Sequence, residues 1–371
     1  MSLVYCIFGV ALLSLVCIGE SEAIYDTNSA IQRDVKSLYL TKKVFVYILF
    51  CTIFSILMGF RYNFVDTSTY KLMFNRIGTD FSNLLDPKVS VIEVGFNIWM
   101  ILCNIVLKSS DQLFVFITTA ITLIFVLIFI YKESEYGGLS IFLFVTLYSF
   151  TFMNGIRQSL TAAIFAILYR KHKDNIVIMV LICCALSLLH NSMLFVMALY
   201  ICSRGKFCNW KMKALILCGL LCVVAPNSIE WIFNLVLSER YFESLAESDY
   251  GTGIMRIIVN SIPAILMLLA RHITGSDDYG QNDSLDNLLI IDLIVNFCSI
   301  RSTYFARMSI YFGLFLCVYY PTLIKRVFNE RSQRYAVCLV VVFYTTFYIF
   351  QVLAYKNYGY LNGFYLNFSL G

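Results

Sequence analysis

Two ionisable side chains stand at the ends of short apolar stretches. Arg157 precedes residues 160–169, and His190 follows residues 176–189; the basic turn Arg170, Lys171, Lys173 lies between them. If that turn faces the cytoplasm, Arg157 and His190 emerge together on the outer side. Ionisable groups near hydrocarbon are costly and usually functional. Arg61, Arg256, Arg301 and Arg307 fall at the outer ends of four further apolar stretches. Arginine suits a phosphate or pyrophosphate, because its planar fork donates two parallel hydrogen bonds and stays charged when partly desolvated. Several such groups would hold a polyanionic head group whose lipid tail lies in the bilayer. Taken singly, each could instead snorkel to lipid phosphates or pair with a nearby acid. Asp66, Glu93 and His190 share the outer side and are candidates for a general base or a hydroxyl-orienting group. Each also has a structural reading: Asp66 as an ion pair with Arg61, Glu93 as a solvated acid or helix cap, His190 as a satisfied buried histidine. His172 and His272 sit in basic stretches and read as solvated loop residues.

The elements that must position these residues are membrane helices. Of the 371 residues, 60% are hydrophobic and only 14% charged; mean hydropathy is +0.77. A soluble domain is less apolar and more charged. Apolar runs of spanning length recur from end to end, and they are continuous rather than alternating, which excludes a β-barrel. The reading is an all-α, polytopic transmembrane bundle, one membrane domain over 1–371, with about 12 spans (10–13). They fall at 2–19, 44–60, 113–131, 139–155, 158–169, 175–189, 191–203, 214–236, 254–270, 287–299, 303–324 and 336–354. Residues 1–19 lack a basic start and an A-x-A site, and read as an uncleaved first helix. Residues 96–107 are too short to cross and read as an interfacial or re-entrant helix. Spans 158–169 and 191–203 are short, as helices lining a pocket can be.

The positive-inside rule places loops 20–43, 132–138, 170–174, 204–213, 271–286 and 325–335 in the cytoplasm. Residues 61–112 and 237–255 then become outward-facing loops. The thirteen cysteines lie mostly inside apolar runs and show neither a disulfide framework nor a zinc motif. No Gly-rich phosphate loop, D-x-D or H-E-x-x-H is present, which argues against nucleotide hydrolysis and metal chemistry. The net charge of +5 is distributed among loops and does not point to nucleic acid.

Four stretches in order carry a resemblance: G-F-R-Y-N-F-V-D-T-S-T-Y at 59–70, E-V-G-F at 93–96, N-G-I-R-Q-S-L-T-A-A-I at 154–164 and L-L-H-N-S at 188–192. F-A-R-M-S-I-Y-F at 305–312 adds a fifth. Together they resemble the EpsG/Wzy-type family of bacterial polysaccharide polymerases. The chain departs from the family where glycine often precedes the aspartate, since Phe64 and Val65 stand there. The resemblance implies a multi-pass inner-membrane glycosyltransferase with a periplasmic active site and no cofactor. It would join oligosaccharide repeat units carried on undecaprenyl pyrophosphate, in O-antigen, capsule or exopolysaccharide synthesis. Arg157, with Arg61 and Arg307, would then meet the pyrophosphate, Asp66, Glu93 or His190 would be the base, and Gln158 and Tyr70 would hydrogen-bond sugar or phosphate. A chain-length regulator and a flippase are the implied partners. The competing readings are a lipid-linked oligosaccharide flippase or other transporter, an O-antigen ligase and a non-catalytic scaffold. A transporter should show internal repeats, and a ligase a large outer loop with its own histidine. Neither feature is in the sequence.

Overall fold

A computed structural model describes residues 2–27, 33–86, 92–108, 110–224, 254–274, 283–300 and 303–369. Among them the regular structure is helical: α1 (Ser2–Thr27), α2 (Arg33–Gly59), α3 (Thr67–Ile77), a 3-10 turn (Phe81–Leu85), α4 (Val94–Leu107), α5 (Asp111–Glu133), α6 (Gly137–Asn154), α7 (Ile156–His172), α8 (Ile176–Ser187), α9 (Met193–Ser203), α10 (Trp210–Val224), α11 (Ile254–Thr274), α12 (Asp283–Cys298), α13 (Thr303–Val327) and α14 (Glu330–Asn357). Among the described residues, six helices are long and apolar enough to cross a membrane. Four shorter apolar stretches, 3–18, α4, α8 and α9, accompany them. The chain is a multi-pass helical membrane protein.

It folds as two compact units, residues 1–194 with 340–371, and residues 195–339. In the first, α6 is buried on nearly every side, as an all-round apolar helix must be. Two of its polar side chains are satisfied within the helix: Thr146 donates to the Phe142 carbonyl at 2.9 Å and Ser149 to that of Val145 at 2.6 Å. Helix α1 lies so close that a Cβ on Gly138 would meet the Leu15 carbonyl oxygen at 2.9 Å, the close approach that small residues allow in membrane helices. The later part of α14 packs here too, with Tyr348 stacked on Phe8 and Phe150 and Gln351 donating to the Thr146 carbonyl. In the second unit, α11, α12 and α13 pack on one another, and α10 packs on α12. A buried network of Asn260, Asp292, Asn296 and Ser309 joins the first three.

Several expected boundaries shift. The stretch 61–112 carries α3 and the 3-10 turn in addition to the short helix expected at 96–107, which is α4. Helix α4 buries Phe96, Met100 and Ile101 in an apolar cluster with Phe74, Ile77 and Phe114, and exposes Leu102, Ile105 and Val106. The span expected at 158–169 extends to 17 residues, because Arg170, Lys171 and His172 continue α7 as its last turn. Cations there are favoured by the helix dipole and by the last unpaired carbonyls. His172 and His272 therefore end helices α7 and α11 instead of lying in loops. The loop at 237–255, up to residue 253, and the end of the span at 214–236 lie outside the described residues.

Candidate functional site

Helix α6 stops at Asn154, and α7 restarts after Gly155, which puts Arg157 in the first turn of α7. The Glu93 carboxylate meets Arg157 with one oxygen and accepts the Asn191 amide with the other, at 3.0 Å. Its side chain is only 6% exposed, and that of Arg157 19%. Such shielding from water strengthens the attraction between the two charges and makes loss of either partner costly to the other. Glu93 occupies the N-cap position of α4, but its side chain does not cap the helix; it reaches outward to Arg157 and the 188–191 turn.

Gly95 makes this reach possible. Its amide donates to the Leu188 carbonyl at 2.8 Å, and a Cβ at Gly95 would lie 2.7 Å from that same oxygen. Only glycine permits so close a backbone approach. The E-V-G-F stretch thus seats the start of α4 on the 188–191 turn. In that turn, Nδ1 of His190 accepts from the Ser192 amide at 3.2 Å and lies 2.6 Å from the Ser192 hydroxyl. An amide can only donate, so the neutral ring carries its proton on Nε2.

Asp66 precedes α3, and its side chain makes no cap to that helix. Its backbone amide donates to the Asn154 side chain at 3.2 Å, which ties it to the break that presents Arg157. Val65 before it has φ of 45°, an outlier for a β-branched residue and the kind of strain found at functional sites. This is the left-handed conformation glycine adopts freely, so Val65 occupies a glycine-like backbone. The turn is fixed on both sides. Phe64 is fully buried against Phe150, Tyr355 and Phe364, and its carbonyl accepts from the amide and hydroxyl of Thr67.

Arg61 has a different place from the one its position in the sequence suggests. It is completely buried, and its guanidinium donates to Thr67 Oγ1 at 3.1 Å, Thr119 Oγ1 at 3.3 Å, the Met153 carbonyl at 2.8 Å and the Met58 carbonyl. Two of these acceptors lie in the last turns of α2 and α6, whose carbonyls have no helical partner. Arg61 therefore clamps the ends of both helices, α5 and the Asp66 turn together, and it turns no donor toward an open surface. Gln158 is buried beside Arg157. The Tyr70 ring lies in the apolar cluster against Phe96.

The first unit thus brings Asp66, Glu93, Arg157 and His190 together through a continuous set of contacts. Four helices, α3, α4, α7 and α9, begin in this region. Arg256 and Arg307 belong to the second unit: Arg256 donates to the Ala306 carbonyl at 3.2 Å, and Arg307 is exposed. Arg301 lies outside the described residues. No three His, Cys, Asp or Glu side chains gather as metal ligands among the described residues. The sequence reading missed Asn154, Asn191 and Ser192 as partners of the site. The glycine of E-V-G-F was the one available sign that two backbones meet there.

These are the elements in which the sequence resemblance lay, and the family assignment agrees with it. The chain belongs to the EpsG family, which it matches over residues 44–369. Membership supports a function of the polysaccharide-polymerase type. No curated protein and no solved structure matches the chain.

Proposed function

We propose that the protein polymerises lipid-linked oligosaccharide repeat units at the outer face of the bacterial inner membrane. A hydroxyl of an acceptor unit attacks the anomeric carbon of a donor glycan carried on undecaprenyl pyrophosphate. The new glycosidic bond forms as the bond to the pyrophosphate oxygen breaks. That oxygen leaves with the electron pair, and the hydroxyl proton passes to a base.

The observation that carries this reading is Arg157 at the start of α7. A helix N-terminus presents unpaired amides and a positive dipole end, and an arginine in its first turn adds a fork for phosphate oxygens. Charge builds on the leaving oxygen in the transition state, where such a group lowers the barrier. Glu93 holds Arg157 in the absence of substrate and acts as its positioning residue. Asp66, Glu93 and His190 are the candidate bases; Glu93 is also engaged by Arg157 and Asn191, and Nδ1 of His190 by Ser192. His190 suits donation of a hydrogen bond from Nε2. Arg61 supports the site from behind, without touching the pyrophosphate.

A gel of surface polysaccharide from a deletion strain tests this. Complementation with the wild-type chain should restore a long ladder, and Arg157→Ala should leave a single repeat unit on its acceptor. Loss of even the single unit would point to a ligase or flippase, and an unchanged ladder to a scaffold.

A further inference from the structure

The segment after α14, Y-G-Y-L-N-G-F-Y-L-N-F at 358–368, returns to the site described above. Its backbone runs antiparallel to residues 60–63. The Tyr62 amide donates to Tyr365 at 2.8 Å, that of Asn63 to Gly363 at 3.0 Å, and that of Asn367 to Phe60 at 2.7 Å. Arg61 and Leu366 form a bridge pair. Gly363 is required for this fit, since a Cβ there would meet Asn63 Cβ at 2.9 Å. Leu361 and Phe364 point inward as anchors, with Phe364 against Phe64. Tyr358, Tyr360 and Tyr365 point outward at 66%, 44% and 51% exposure. Tyr365 stacks on Tyr62 with planes 10° apart, and the Lys71 ammonium lies over the Tyr62 ring. Asn357 and Asn362 are exposed among them. The segment is therefore a firmly held strip that presents tyrosine rings and asparagine amides, and its partner Asn63 lies three residues from Asp66 along the chain.

We infer that this strip is a carbohydrate-binding platform, the subsite for the acceptor glycan; its assignment to the acceptor rests on the polymerase reading. Sugar rings present C–H faces that stack on aromatic rings, and hydroxyls that amides and phenols can bond. Tyrosine and asparagine supply rigid amphipathic area and adaptable hydrogen bonding in the same way at antibody paratopes. A lipid-interface belt is the other common use of exposed tyrosine. The continuity of the strip with Asp66 through Asn63, and its asparagines, favour sugar.

The test is saturation-transfer NMR on the purified full chain in detergent, with repeat-unit oligosaccharide freed of its lipid by mild acid as the probe. The wild-type chain should transfer saturation to sugar C–H protons. The triple variant Tyr358→Ala, Tyr360→Ala, Tyr365→Ala should weaken binding by about tenfold or more, and the matching triple Phe variant, which keeps the rings, should lose much less. Tyr358→Ala alone lies outside the paired stretch and shows the same trend should the triple variant misfold. Transfer to detergent but not to sugar, or equal binding by the alanine variants, overturns the platform. Arg157→Ala should bind the oligosaccharide as wild type does. If the wild-type chain makes no polymer from lipid-linked repeat units, the polymerase reading fails while the platform stands.

Discussion

Glu93 holds Arg157 through one carboxylate oxygen and the 188–191 turn through the other, so a single acid fixes two segments that lie 64 and 98 residues away from it along the chain. Glu93→Gln keeps an oxygen for the Asn191 amide and removes the charge that Arg157 faces. Polymer should fall by about tenfold or more, the cost of about 1.4 kcal/mol in positioning. Glu93→Asp should recover part of it. In a membrane assay, the loss should appear chiefly in kcat, because Arg157 acts on charge that builds in the transition state.

Gly95→Ala should be far more harmful than a methyl group suggests. The new Cβ would lie 2.7 Å from the Leu188 carbonyl, and backbone on both sides must move. A loss of about 1–3 kcal/mol in stability is expected, read as a lowered melting temperature in detergent, together with loss of polymer.

Arg61 and Arg157 should separate cleanly. Arg61→Met strands four buried acceptors, at a cost of roughly 3 kcal/mol or more. The protein should fail to accumulate in membranes, as an immunoblot would show. Arg157→Ala should accumulate normally and make no polymer. Normal accumulation of inactive Arg61→Met would return Arg61 to direct substrate contact.

His190 can be assigned by amide substitution. A glutamine amide reaches about as far as Nε2 and can donate a hydrogen bond, but it cannot act as a base. His190→Gln should retain measurable polymer, whereas loss of a general base typically costs about 10²–10⁴-fold. A His190→Gln variant as inactive as His190→Ala would make the imidazole the base.

Much of this architecture was legible in the sequence, because continuous apolar runs have few folds open to them in a membrane. The 154–157 break was legible too, since glycine and arginine after an apolar run signal an end. The fate of Arg61 was not. Its type and its place at the end of an apolar run match those of Arg157, and only the third dimension shows one clamped on carbonyls and the other placed at a helix start. The Glu93–Arg157 pair is equally invisible locally, as the partners are far apart in sequence. The strip at 358–368 has no periodicity and follows the last span, so nothing marked its pairing with 60–63 except Gly363.

The most direct test of the central claim uses purified protein in proteoliposomes, with undecaprenyl-pyrophosphate-linked repeat units and no nucleotide or nucleotide sugar. The account predicts that the wild-type chain extends the glycan and releases undecaprenyl pyrophosphate in step, while Arg157→Ala does neither and Arg157→Lys recovers little, because a point charge does not replace the fork. Extension by Arg157→Lys at the wild-type rate, or a requirement for nucleotide sugar, would contradict it.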